Sequence, residues 1–170
     1  MRGLLAVGLV LLAAVAQVSI SPLFPIGGAV ADLPLVVLVA LGAFSGAGPV
    51  MVAVPVVALL TGFATDRAPG LLLIGYIPLL PLGGWLDDAR VPIGTTGRLF
   101  LPLVLTGAWA RLVLATSAAT HGADLQAAGL AGDVLVPGAV LDAALLAMVY
   151  VPARLLGWEP GRTSLRRGAY

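Results

Sequence analysis

Polar side chains in this chain fall in short clusters, and between them run long apolar blocks. Six blocks can be drawn, roughly Gly3–Ile20, Leu33–Ala47, Pro49–Thr65, Pro69–Leu86, Leu99–Ala118 and Ala131–Pro152. None alternates apolar and polar residues as barrel strands do, so the pattern predicts helices. Each approaches the ~17–25 residues a helix needs to cross the hydrocarbon of a bilayer. The block boundaries carry helix-start chemistry. In "ADLPL", Asp32 is an N-cap candidate with Pro34 in the first turn, and Pro49 and Pro69 sit where a helix tolerates proline best. Prolines inside the blocks (Pro55, Pro78, Pro81, Pro137) predict kinks. The second and third blocks are separated by "SGAGP" alone, which reads as two crossings or as a re-entrant hairpin.

Composition turns this pattern into a class. Of 170 residues, 60% are hydrophobic and 10% charged, and the mean hydropathy is +1.09. An ordinary soluble domain carries about 25% charged residues. The expectation is therefore an all-α integral membrane protein. Residues 1–157 would form a compact bundle of six transmembrane helices, and 158–170 a short basic cytoplasmic tail. Cysteine is absent, which excludes disulfides and thiol catalysis.

All nine basic residues are arginine, and they are distributed unevenly. With the N-terminus inside, Arg2, Arg90, Arg98, Arg154, Arg162, Arg166 and Arg167 fall on the inner side. Arg67 falls outside, and Arg111 lies within the fifth block. The positive-inside rule then places both termini in the cytoplasm. The start "MRGLLAVGLVLLAAVAQ" has the look of a secretory signal peptide. Cleavage would leave five blocks and an external N-terminus, so it reads as the first span. The tail, with Trp158 at its start, suits an anionic bilayer surface, though it also reads as a topology anchor with no specific partner.

Catalytic sets do not emerge. His121 is a lone histidine in a polar connection, "DDAR" (Asp87–Arg90) reads as a solvated loop, and no phosphate-binding loop or metal-spaced cluster is present. No cofactor, metal, enzymatic activity or nucleic-acid partner is expected. The ionisable residues within the blocks say more. Asp142 lies near the middle of the sixth block and Asp133 near its outer end. Nine Leu and Val residues between Val134 and Val151 contribute roughly −3 to −5 kcal/mol to insertion, against about +3 for a central aspartate. That helix should lean on neighbours, and an ion pair of Arg111 with Asp142 or Asp133 would supply one. The alternative is that Arg111 extends outward while Asp142 is protonated or hydrogen-bonded. Gly42 with Gly46, and Ala58 with Gly62, place small residues one turn apart and are candidates for close helix packing.

A resemblance adds to this reading. The stretch Ala31–Leu80, "ADLPLVV…YIPLL", resembles the central region of the MreD family, small membrane proteins of the bacterial rod-shape system. Gln17 matches a glutamine near the end of the family's first span. Asp32 and Leu33 match an acidic start to the second, Gly62 and Asp66 a G-x-x-x-D end to the third, and Pro69-Gly70-Leu71 the turn that follows. The likeness covers roughly residues 4–85; beyond that the match is in hydrophobicity, and the proline-rich third and fourth blocks depart from the pattern.

The resemblance implies a non-enzymatic scaffold of the cell-elongation machinery in the bacterial cytoplasmic (inner) membrane. It also implies binding to MreC, and with it the cytoskeletal MreB and the peptidoglycan polymerase RodA with its penicillin-binding partner. Asp32, Asp66 and Arg67 are then candidate outer contacts. The family is similar in fold to the substrate-binding S-components of vitamin transporters, which sets the alternative function. Against that alternative, no alanine at 6, 13, 14 or 16 is followed by another four residues on. The outer loops also lack the aromatic and polar cluster a vitamin site needs.

Overall fold

The computed structural model describes residues 2–23, 25, 29–82, 94–122 and 129–156. The expectations for Asp87–Arg90, Trp158 and the basic tail fall outside the described residues, as do those for Arg162, Arg166 and Arg167. Among the described residues the chain is helical, without strands. In chain order the helices are α1 (Arg2–Ser19), α2 (Leu33–Ser45), α3 (Ala47–Ala64), α4 (Pro69–Tyr76), α5 (Thr95–Thr120) and α6 (Val136–Leu155). A π-helical turn, Leu130–Leu135, leads directly into α6. Ala47–Ala64, Thr96–Thr120 and Leu130–Leu155 are long and apolar enough to cross a membrane; the other apolar helices are shorter.

Local chemistry explains most of the boundaries. Asp32 caps α2 by accepting the Leu35 N–H at 3.1 Å, with Pro34 in the first turn. α2 ends and α3 begins at Gly46, whose φ of 85° and ψ of 179° only glycine adopts without strain. Gly46 is thus the turn between two helices. The expected role for it on a packing face gives way to this, since a Cβ there would meet nothing within 4 Å. Gly42 does pack: a Cβ would lie 3.3 Å from Val50 Cγ2 across the turn.

At the far end of α3, Asp66 takes the left-handed conformation (φ 53°) and Arg67 N–H returns to Gly62 O at 2.9 Å. This is a Schellman-type stop, in which aspartate is one of the residues that tolerates the position. α4 restarts at Pro69, which lies so close that a Cβ on Gly62 would be 2.8 Å from Pro69 Cα. The hairpin therefore depends on Gly62, with Ala58 fully buried one turn before it.

Proline shapes the later helices. α4 breaks after Tyr76 because Pro78 has no N–H for the carbonyl of Ile74, and helical backbone resumes over residues 79–82. The indole N–H of Trp109, on α5, donates to that carbonyl at 3.0 Å and replaces the missing bond. Pro55 sits inside α3 without interrupting it. Pro137 follows the π-helical turn, whose last bond runs from Val136 N–H to Ala131 O.

The core is aliphatic. α2 is its most buried helix, with Leu35, Val36, Leu38, Val39 and Leu41 enclosed by Val54 and Val57 of α3, Leu72 of α4, Leu99 and Leu103 of α5, and Leu146 of α6. α3 packs on α1 and α4, α5 on α4 and α6, and α2 touches α1, α3, α5 and α6. Large apolar side chains are also exposed, among them Phe63 (77%), Met148 (73%) and Leu155 (83%).

Candidate functional site

A helix leaves its first backbone N–H groups without partners inside the helix. For α2 this demand is sharp, because its N-terminus lies within the bundle. Tyr76, which reaches it, is about 10 Å along α4 from Pro69, and Arg111 is about 13 Å short of the end of α5. With 13 residues, α2 is about 20 Å long, well short of the ~30 Å core of a bilayer.

Each donor at this end has an acceptor. Asp32 N–H donates to Asp142 Oδ1 of α6 at 2.7 Å. Leu33 N–H donates to Gln17 Oε1 of α1 at 2.9 Å. Position 34 is proline and has none to offer. Leu35 N–H goes to the Asp32 carboxylate, and Val36 N–H to Asp32 O at 3.1 Å. The Asp32 carboxylate also accepts from the Tyr76 hydroxyl of α4, at 2.9 and 3.1 Å to its two oxygens. Ser21 Oγ ties down the approach to α2 by donating to Ala31 O at 2.8 Å.

The charge is balanced from α5. Arg111 Nη2 donates to Asp142 Oδ2 at 2.7 Å, with the two side chains 10% and 1% exposed. Helical side chains lean toward the N-terminus, over the preceding turn. Arg111 leans over Gly107 and Asp142 over Gly138, and the two glycines leave room for the pair. A Cβ on Gly107 would meet Arg111 Nη1 at 2.9 Å and Asp142 Oδ2 at 3.4 Å, and one on Gly138 would collide with the guanidinium itself. Single side chains from α1, α4, α5 and α6 thus converge on the start of α2.

The structure brings some of the residues singled out in the sequence together at this site and leaves others apart. Arg111 pairs with Asp142; Asp133 is exposed on the π-helical turn. Asp32 was expected as an outer contact, yet its carboxylate is engaged inside with Leu35 and Tyr76. Asp66 and Arg67 are exposed at the tip of the α3–α4 hairpin. His121 is exposed at the end of α5, bonded through Nδ1 to Ser117 O at 2.7 Å. Tyr76, Gly107 and Gly138 were missed. A tyrosine within an apolar run needs a partner for its hydroxyl, and few acids lie near enough in depth. A glycine one turn before each buried charge, Gly107 before Arg111 and Gly138 before Asp142, was a further readable signal.

The cluster's chemistry is that of a clasp. Its polar atoms bond to one another and to the backbone of α2, and its charges, two carboxylates and one guanidinium, are partly offset by the positive end of that helix. Compared with known proteins, the chain matches no family model, no curated protein and no solved structure.

Proposed function

We propose that the chain is a non-enzymatic scaffold embedded in the bacterial cytoplasmic membrane, with six spans and both termini inside. In this reading it serves the cell-elongation machinery as MreD does, by receiving MreC. The observation that carries the reading is the use made of the buried polar residues: they fasten five helices at one point. A bundle held this way presents a fixed surface to a partner. Support for the membrane setting comes from the three long apolar helices and from exposed side chains such as Phe63, Met148 and Leu155, which water would penalise and lipid would not. Support for the family reading comes from the residues of the resemblance, Gln17, Asp32, Gly62 and Asp66 among them.

With Asp32 engaged inside, the outer contact narrows to Asp66 and Arg67. The test is co-purification of the tagged full-length chain from native membranes, followed by melting of the detergent-solubilised protein. MreC is expected to be recovered with it and to raise its melting temperature, since a partner that binds the folded form stabilises it by mass action. Asp66→Asn with Arg67→Ala is expected to weaken recovery while leaving the melting temperature of the isolated protein unchanged, because asparagine also tolerates the left-handed backbone at position 66. A melting shift with one water-soluble vitamin and none with MreC overturns the scaffold in favour of a transporter subunit.

A further inference from the structure

Asp142 is held as a ligand is held. Its two carboxylate oxygens each accept one bond of 2.7 Å, from the backbone N–H of Asp32 and from Arg111 Nη2. Neither donor belongs to α6. Each is also positioned by contacts that do not involve Asp142. The peptide at Asp32 is fixed by Gln17 on the next N–H, by the Asp32 cap on Leu35 and by the Tyr76 hydroxyl. The guanidinium lies in a slot whose walls are Gly107 and Gly138. Shortening residue 142 would therefore leave two aligned donors, one cationic, buried and unpaired.

We propose that Arg111 and the N–H of Asp32, the N-cap of α2, form a carboxylate-binding site whose resident occupant is the chain's own Asp142. A free monocarboxylate the size of formate takes the site once that side chain is shortened. Leaving a buried cation and a buried N–H without acceptors is costly, and one small carboxylate satisfies both. A planar carboxylate matches the two donors, whereas chloride offers a single centre. Opposing it is the carboxylate of Asp32, next to the site and held by Leu35 and Tyr76. Gln17 is neutral, and α3 brings no charged residue. Binding is therefore weak, and it tightens if Asp32 loses its charge. The inference does not depend on which partner the bundle receives, and its readout is stability, not assembly.

The experiment uses the full-length protein carrying Asp142→Ala, in detergent, with sodium formate titrated against sodium chloride at equal ionic strength and pH. The melting temperature is expected to rise with formate, in proportion to the logarithm of its concentration once that exceeds the dissociation constant, and by roughly 3 °C or more at a tenfold excess. The unsubstituted protein, Asp142→Asn (which fills the site with an amide) and Asp142→Ala combined with Arg111→Leu are expected not to respond. Asp142→Ala with Asp32→Asn should respond at lower formate. If Asp142→Ala folds poorly, its yield of monodisperse protein is compared after extraction in formate and in chloride, alongside Asp142→Gly extracted in acetate. A gain specific to the carboxylate supports the site. No gain in either variant, or an equal gain in the Arg111→Leu double variant, overturns it.

Discussion

The start of α2 and the α3–α4 hairpin are both helix junctions, yet they are stabilised by opposite means. At the hairpin every interaction is local. Thr65 Oγ1 bonds Thr61 O, Arg67 N–H bonds Gly62 O, and Gly62 admits Pro69. At α2 the partners are distant in sequence: Gln17 is 16 residues away from Leu33, Tyr76 44 from Asp32, and Asp142 110 from Asp32. The hairpin can be assembled by a short segment alone, while the α2 junction exists only when the whole bundle does. A local junction fixes a turn, and a distant one fixes how helices sit against each other.

Substitutions can break this contrast, and the largest effect should come at the α2 junction. Removing one partner of a buried ion pair costs about 3–5 kcal/mol, because the other charge stays behind. Arg111→Leu should therefore lower folded yield and melting temperature sharply. Adding Asp142→Asn should be less harmful than the sum of the two single changes, whereas adding Asp133→Asn should be additive. Strict additivity with Asp142 in a thermal double-mutant cycle would show that the two sites are independent.

At the hairpin the expected effect is smaller. Gly62→Ala places a methyl against the backbone of Pro69, and overpacking of this kind costs about 1–3 kcal/mol. If the hairpin is local as described, this loss adds to that of Arg111→Leu within about 0.5 kcal/mol. A strong coupling measured by thermal melts of the double variant would erase the distinction.

The smallest effect tests a junction of intermediate kind. Trp109→Phe keeps an aromatic ring but removes the donor to Ile74 O, and a typical intramolecular hydrogen bond contributes about 1 kcal/mol. The loss should vanish when Pro78 is replaced by alanine, whose own N–H restores a partner for that carbonyl. A Trp109→Phe loss of equal size in the Pro78→Ala background would assign it to packing.

What the sequence made legible follows the same division. Asp32 as a cap, Pro69 as a helix start and Gly62 as a point of close approach depend on neighbours within a few residues, and the chain displays them. The stop after Thr65 was also readable, since an aspartate between two apolar blocks suits a left-handed residue. Gly46 was misread because its spacing from Gly42 also fits a packing face, and only backbone dihedrals separate the two. The choice between Asp133 and Asp142 needed the depth and rotation of α6 relative to α5. Tyr76 stayed hidden for a similar reason: nothing in an apolar run says which face meets the start of α2. Residue type announced that buried polar groups needed partners; the three-dimensional arrangement assigned them.

The late position of Asp142 in the chain has a consequence for how the protein comes into being. The N–H of Asp32 leaves the ribosome 110 residues before its acceptor is made, and Arg111 likewise waits for α6. Until α6 is made, the start of α2 can draw on Gln17 of α1 and Tyr76 of α4 but not on Asp142. A nascent chain ending before Val136 therefore holds the N–H of Asp32 and the guanidinium of Arg111 without the acceptor that Asp142 supplies to both.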